Sequence, residues 1–174
     1  MTTALDTRTP EQTGKRKTDP FRPITAPRPR ALTVSDLSAM TPDQADQVFR
    51  QGEIAQLPDG QAEGVALFRP GSAMQPKLAA VVRSLFWQGK LFDARTKTLK
   101  NIILPIQIPA ISADVYKEPS WFDNQPCIVL DYSKRSILAR YIRDEIRRVG
   151  PGLYLGLVYW GHTRLMYFTL QFPV

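Results

Sequence analysis

The stretch from Cys127 to Phe172 constrains the fold more than any other part of the chain. It ends in two segments, Leu153–Trp160 and Arg164–Phe172, whose residues alternate in type with a period of two, and Gly161 begins the short turn between them. Such a period is typical of a strand with one buried face, and a short glycine-containing turn between two such segments predicts a β-hairpin. The sequence therefore predicts an antiparallel sheet that includes this hairpin.

Between Ser133 and Gly150 the pattern changes, and it predicts a helix that crosses the hairpin. Ser133 or Ser136 is the expected N-cap residue, and Gly150 ends the helix. Apolar residues three and four apart share one face: Ile137, Leu138, Tyr141, Ile142, Ile146 and Val149. The opposite face is expected to be solvated, with ion pairs four residues apart, and carries Arg140, Arg143, Asp144, Arg147 and Arg148. Glu145 lies beside the apolar face, and a buried Glu145 would need a partner and would mark a site.

Upstream of this stretch, local signals predict further helices and strands. Thr41 followed by Pro42 is typical of a helix start, and this helix is expected to end at Gln51. The other predicted elements are a first strand at Glu63–Arg69, a helix at Met74–Trp87, a hairpin of Lys90–Phe92 with Leu99–Leu104, a long strand at Ile106–Tyr116 and an apolar strand at Pro126–Tyr132. Strands joined mostly by hairpins predict an α+β fold: a strongly curved, mostly antiparallel sheet or a closed β-barrel with two to four helices, one of them over the barrel mouth.

The chain of 174 residues is expected to divide into a tail and one domain. Residues 1–30 contain five prolines, seven Lys or Arg and three Asp or Glu, which predicts a disordered, basic, Pro-rich N-terminal tail. Residues 31–174 are expected to form a single barrel-like α+β domain. The tail holds +4 of the net charge of +7, and the Lys and Arg residues of the domain are scattered. This distribution argues against specific nucleic-acid binding.

Several classes of function lose their usual support. A single histidine, His162, leaves no His cluster for a metal, and we expect it to be exposed in a turn. A single cysteine, Cys127, excludes an internal disulfide, fits a reducing compartment and is expected to be a buried strand residue. No segment predicts a membrane span or a secretory signal, and no nucleotide-binding or serine-hydrolase motif occurs. We therefore predict a cytoplasmic protein that uses no metal and no cofactor.

Aromatic residues with a polar tip are the candidates for a binding pocket. The predicted ligand-binding residues are Trp87, Tyr116, Trp121, Tyr132 and Tyr159. Aromatic walls with a few hydroxyl groups suit a small lipophilic molecule, although ordinary core packing explains them too. On the Leu153–Trp160 strand, either the face with Tyr159 or the face with Tyr154 and Gly156 lines the interior. Gly156 in mid-strand indicates a bulge or the close approach of a backbone, a ring or a ligand.

An acid at the end of an apolar strand is the candidate for catalysis. Asp131 would act as a general base if burial raises its pKa, with Tyr132 or Tyr116 as the acid. The alternative is structural, because Asp131 could instead pair with an arginine such as Arg143 or Arg164, or cap the following helix.

Five groups of residues resemble one uncharacterised bacterial family of stand-alone proteins of similar length. They are WQGKLF at 87–92, Val115-Tyr116 with Ser120-Trp121, IVLDYS at 128–133, IRDEIR at 142–147 and PGLYLG at 151–156. The resemblance implies a cytoplasmic bacterial protein with a calycin-like fold, and the Trp-x-Gly-Lys-x-Phe pattern is also similar to small domains with a lipocalin-like barrel. It assigns no catalytic residue.

Three functions are consistent with these observations. The first is binding of a small lipophilic molecule inside the barrel or sheet. The second is a metal-independent isomerase, cyclase or lyase that acts on such a molecule by acid–base catalysis. The third is an interaction module that recruits a partner through the basic tail or a sheet edge.

Overall fold

The computed structural model describes residues 30–67, 87–103, 111–137 and 139–174. Eight antiparallel strands close into a barrel, in which each strand pairs with the next along the chain and the eighth pairs with the first. The strands are β1 (Gly60–Leu67), β2 (Trp87–Asp93), β3 (Thr98–Ile103), β4 (Ser112–Pro119), β5 (Pro126–Asp131), β6 (Ile142–Gly150), β7 (Leu153–Trp160) and β8 (Thr163–Gln171). Two short helices, α1 (Val34–Ser38) and α2 (Pro42–Gln51), precede them. The predicted α+β class with a lipocalin-like β-barrel is therefore confirmed.

Helix α2 forms where the sequence predicts it, with the predicted bounds. The Thr41 hydroxyl accepts a hydrogen bond from the backbone N–H of Gln44, and the Gln44 side chain accepts one from the backbone N–H of Thr41. Pro42 occupies the first position, where its missing N–H costs nothing. These contacts satisfy donors that a helix start leaves open, so this boundary is encoded locally.

The two predicted hairpins are confirmed. Strands β2 and β3 pair through residues 87–93 and 98–103, and residues 94–97 form the turn between them. Strands β7 and β8 pair along their whole length around Gly161 and His162. The predicted first strand begins earlier than expected, at Gly60. Of the predicted helix at Met74–Trp87, residues 74–86 lie outside the described residues and Trp87 belongs to β2.

The predicted helix between Ser133 and Gly150 is wrong. Residues 133–135 form a turn, and Ile142–Gly150 is strand β6, which pairs with β5 on one side and with β7 on the other. Both faces of β6 are covered, so charged residues on this strand are buried. Its sequence therefore lacks the alternation of apolar and polar residues that indicates a strand with one exposed face. The ion pairs predicted four residues apart do not form, and Asp144 pairs with Lys90 instead.

Two apolar clusters lie on opposite sides of the barrel wall. The interior cluster has members on all eight strands, including Ala62, Phe92, Leu99, Ala113, Ile128, Ile146, Tyr154 and Phe168. The outer cluster joins Leu37 and Phe49 of the two helices to the odd-numbered residues of β7 from Leu153 to Tyr159. The even-numbered residues of β7 therefore face the interior, and α2 packs on the outer face of the barrel.

Gly156 explains how a large ring fits against the inner wall. A Cβ atom at this position would lie 2.3 Å from two atoms of the Phe168 ring, which belongs to the facing residue of β8. The close approach expected at Gly156 is therefore made by an aromatic ring, and only glycine leaves room for it.

Candidate functional site

Four polar side chains from four parts of the barrel meet in its apolar interior. They are Lys90 of β2, Asn101 of β3, Tyr132 just after β5 and Asp144 of β6, which we call the interior polar cluster. Lys90 and Asn101 are register partners across β2 and β3, and Asp144 faces Leu130 across β5 and β6. Lys90, Tyr132 and Asp144 are each at most 4% exposed, so these three side chains are almost completely removed from solvent, and Asn101 is half-buried.

Gly89 brings the lysine into this position. Its φ of 151° lies outside the range that L side chains usually adopt, and a Cβ atom there would lie 1.9 Å from the carbonyl oxygen of Ala62 on β1. The register between β2 and β3 shifts at this point, between Trp87 and Gly89. Glycine thus permits both the irregular backbone and the close approach of β1, and the next residue, Lys90, is buried inside the barrel.

The Lys90 amine has an acceptor for each of its three N–H bonds. It donates to Asp144 Oδ2 at 3.1 Å, to Asn101 Oδ1 at 2.9 Å and to the Tyr132 hydroxyl at 2.5 Å. The Tyr132 hydroxyl in turn donates to Asp144 Oδ2 at 3.2 Å. The amine also lies 5.5 Å from the centre of the Phe168 ring, within the range of a cation–π contact.

One oxygen of the cluster has no hydrogen-bond partner among the described residues. Asp144 Oδ2 accepts from Lys90 and Tyr132, whereas Asp144 Oδ1 is buried and accepts from no group in that part of the chain. A buried acceptor without a donor costs about 1–3 kcal/mol. A hydrogen-bond donor placed next to Asp144 Oδ1 would therefore remove this cost.

Burial moves the pKa values of the amine and the carboxyl towards each other. It lowers the pKa of Lys90, although Asp144 opposes the shift, and it raises the pKa of Asp144, although Lys90 opposes that shift. Burial also raises the pKa of Tyr132 well above its usual value, so this phenol keeps its proton. The free-energy cost of moving a proton from Lys90 to Asp144 is consequently smaller than it is in water.

A second polar network lies on the outer face of β6. Glu145 is completely buried, and its carboxylate accepts hydrogen bonds from the Ser120 hydroxyl at 2.5 Å, the Trp121 backbone N–H at 2.9 Å and Arg143 Nε at 3.1 Å. Arg143 also pairs with Glu118 at 2.7 Å. The expectation that a buried Glu145 has a partner is confirmed. Both oxygens of the Glu145 carboxylate accept hydrogen bonds. The network therefore has a structural role, which is to attach the loop after β4 to β6.

Arg147 attaches the same loop further along. Its guanidinium binds both carboxylate oxygens of Asp123, at 2.7 and 2.6 Å, and donates to the backbone carbonyls of Phe49, Gln125 and Pro126. Arg147 is 1% exposed and joins α2, the loop and β6. A guanidinium with this many acceptors is a structural tie.

The structure separates the predicted catalytic residues. Tyr132 belongs to the interior polar cluster, whereas Tyr116 and Asp131 alternate with interior residues of β4 and β5 and face outwards, where the Tyr116 hydroxyl donates to Asp131 Oδ2 at 3.1 Å. Burial raises the pKa of Tyr116 to about 12. Burial would also raise the pKa of Asp131, but hydrogen bonds from Ser133 and Tyr116 outweigh it and lower that pKa. Asp131 is thus hydrogen-bonded at the surface, and Asp144 is the carboxylate next to Tyr132.

The other predicted ligand-binding residues also lie apart from the cluster. Trp121 and Tyr159 contact each other edge to face at 5.4 Å on the outer side of the barrel, and Trp121 is 45% exposed and stacks on His162 at 4.5 Å. Trp87 belongs to β2, and its side chain lies outside the described part of the structure. His162 is exposed in the β7–β8 turn and Cys127 is buried in β5, as predicted.

Sequence reasoning missed Lys90, Asn101 and Asp144. Gly89, directly before the predicted strand Lys90–Phe92, was a usable signal, since a glycine that belongs to a strand indicates a bulge or a close approach. Asp144 carried no such signal, because a helix was predicted around it. In the described ranges, no group of three or more His, Cys, Asp or Glu residues could hold a metal ion. No helix there has the length and apolar character to span a membrane.

No family model and no curated protein matches the chain. A solved structure that it resembles is the crystal structure of a protein from Thermomonospora curvata, with a TM-score of 0.53 and 15% sequence identity. This likeness covers 78% of this chain and 89% of that chain. At this identity it shows the fold alone, and the family resemblance of the sequence motifs stays a prediction. The comparisons therefore support the barrel and leave its function to be argued from the interior polar cluster.

Proposed function

We propose that the protein binds a small, mainly apolar molecule in the barrel interior, and that the interior polar cluster binds its one or two polar groups. The observation that carries this proposal is Asp144 Oδ1, a buried carboxylate oxygen to which none of the described residues donates a hydrogen bond. A ligand hydroxyl or amine would supply that donor, and a hydrogen bond to a charged group contributes about 1.5–3 kcal/mol.

The surroundings of the cluster support the same function. Phe92, Tyr154 and Phe172 form a group of tilted and edge-to-face rings with centres 5.4 and 5.5 Å apart, and Phe168 covers the amine of Lys90. Apolar and aromatic walls with a few convergent polar groups are typical of small-molecule sites.

Stability alone is a poor explanation of the cluster. Apolar residues of similar volume often stabilise a fold as well as a buried ion pair does, or better. The net contribution of the Lys90–Asp144 pair to stability is therefore small, and recognition of a polar ligand group would account for its presence in the interior.

Binding can be tested with two probes. We expect native mass spectrometry of the purified protein to detect a bound apolar molecule, or decanol after its addition, and we expect decanol to displace the fluorophore 1-anilinonaphthalene-8-sulfonate. Asp144→Asn should weaken decanol binding about tenfold or more, because a charged acceptor is lost. Asp131→Asn is the matched control on the outer face and should leave binding unchanged. A protein that is always empty and binds neither probe would overturn the proposal.

The cluster also favours a second function, an isomerase, cyclase or lyase that works by acid–base catalysis. Tyr132 is a hydroxyl acid 3.2 Å from the carboxylate base Asp144, and Lys90 contacts both. Tyr132→Phe distinguishes the two functions, since it should abolish turnover of a bound substrate while leaving binding largely intact. Unchanged turnover in Tyr132→Phe would exclude the catalytic role.

A further inference from the structure

We propose that Lys90 forms an imine with a small apolar aldehyde or ketone, so that a covalent bond to the amine holds the ligand inside the barrel. This inference rests on the proposed function and deepens it, because it names the chemical class of the ligand.

Lys90 is the buried lysine of the described part of the chain. It is 3% exposed, whereas the other lysines of that part are all exposed: Lys97, Lys100, Lys117 and Lys134. An amine inside an apolar barrel interior is kept away from the water that surrounds the surface lysines. Position alone therefore makes Lys90 different from the surface lysines.

The three steps of imine formation need a group that accepts a proton from the amine, a donor for the carbonyl oxygen, and an acid that protonates the hydroxyl group when water leaves. Asp144 Oδ2 lies 3.1 Å from the amine and can take its proton. The Tyr132 hydroxyl lies 2.5 Å from the amine and keeps its proton, so it can donate to the oxygen of an incoming carbonyl group. Both groups are thus in contact with the nitrogen that reacts.

The reaction balances with the groups of the cluster. The Lys90 ammonium gives one proton to the Asp144 carboxylate, and the neutral amine attacks the carbonyl carbon. A second proton moves from nitrogen to oxygen, which yields a neutral carbinolamine. Asp144 then returns its proton to the hydroxyl group, which leaves as water, and the product is a protonated imine paired with the Asp144 carboxylate. No oxidant or reductant is needed.

The electrostatics of the site favour both the first step and the product of this reaction. Burial lowers the pKa of Lys90 and raises that of Asp144, which eases formation of the neutral amine. After water leaves, the positive charge remains on the same nitrogen, next to the same carboxylate. The ion pair present in the free protein is therefore the counter-ion arrangement of the product.

Decanal with sodium cyanoborohydride tests the proposal on the full chain, because this reductant converts an imine into a stable secondary amine. Intact mass spectrometry then counts the decyl groups, and peptide mapping locates them. We expect one decyl group on Lys90 before any of the exposed lysines reacts. Asp144→Asn should slow this labelling, Lys90→Arg should abolish it, and Lys100→Arg is the matched surface control that should leave it unchanged. Peptide mapping of the labelled wild-type protein shows whether Lys90 reacts first, even if the Lys90 variant does not fold.

Decanol separates this inference from the proposed function, since it has the same chain and cannot form an imine. If decanal and decanol displace the fluorophore equally and the decyl groups are found only on exposed lysines, the imine is overturned and binding stands. If neither compound binds and Lys90 stays unlabelled, both proposals are overturned. Preferential labelling of Lys90 that decanol suppresses by competition supports both.

Discussion

The amine of Lys90 lies 2.5 Å from the hydroxyl oxygen of Tyr132, although 42 positions separate the two residues in the chain. Closure of the barrel produces this contact, because β2 and the end of β5 approach each other only across the interior. The Asp144 carboxylate lies within hydrogen-bond distance of both groups. An amine, a phenol and a carboxylate thus share one buried site, and their mutual dependence can be measured.

Removing one member of the Lys90–Asp144 pair should cost more than removing both. Lys90→Met leaves a buried carboxylate without its partner, and we expect unfolding by urea to show a loss of about 3–5 kcal/mol. Adding Asp144→Val to the same protein should recover most of this loss, since no buried charge remains. Lys100→Met, at an exposed position of β3, should change the stability by less than about 0.5 kcal/mol. Additive losses in the double variant would contradict the coupling.

The thiol of Cys127 should be protected until the barrel opens. Burial, with a smaller contribution from the charge of Glu145, raises the pKa of Cys127 from 9.0 to about 12. At pH 8 the thiolate is scarce in the folded protein, so Ellman's reagent should react slowly with it and rapidly with the protein in denaturant. Equal rates in both states would show that this part of β5 is open to solvent.

The same shift has a defined effect on stability. The folded pKa is higher than the unfolded one, so Cys127 contributes stability that is fully present below pH 9 and is lost as the pH rises from 9 towards 12. We expect the difference in unfolding free energy between the wild type and Cys127→Ala to decrease over this range. A difference that stays constant with pH would contradict the raised pKa.

Local signals in the sequence specified the elements that contain their own stop and start residues. Thr41, Pro42 and Gln44 set the start of α2, and Gly161 sets the last hairpin, because these residues act through contacts with near neighbours in the chain. Strand β6 could not be predicted in this way. The partners that bury its charged residues Arg143 and Glu145 are more than twenty positions away in the chain. From the sequence alone, these residues therefore match the pattern of a solvated helix face.

The candidate site was predicted only in part for the same reason. Tyr132 was named from its place at the end of an apolar strand, but its partners come from β2, β3 and β6. Barrel closure and the packing of α2 on the outer wall decide which residues of a strand face the interior. No single segment carries that information, so sequence patterns grouped outer residues such as Tyr159 with the inner Tyr132.

Gly156 should be intolerant of even one methyl group. An alanine Cβ would lie 2.3 Å from the Phe168 ring, and overpacking of this kind costs about 1–3 kcal/mol. Phe168→Leu should relieve the clash, so the double variant should be more stable than the sum of the single losses predicts. Gly150→Ala is the matched control, because its Cβ would meet no atom closer than 3.6 Å. Thermal unfolding of the four variants checks this, and equal losses for Gly156→Ala and Gly150→Ala would contradict it.

Breaking the Arg147–Asp123 pair should destabilise the fold far more than breaking the Arg148–Glu53 pair, although the two arginines are neighbours on β6. The side chains of the first pair are 1% and 5% exposed and those of the second are 46% and 69% exposed. Asp123→Asn leaves the buried guanidinium without its carboxylate, and we expect a loss of about 3–5 kcal/mol. Glu53→Gln should leave the stability nearly unchanged, since solvent already screens that pair. Hydrogen exchange should in addition become faster in the loop at residues 120–125 for Asp123→Asn only. Similar losses in the two variants would show that burial does not set the strength of these pairs.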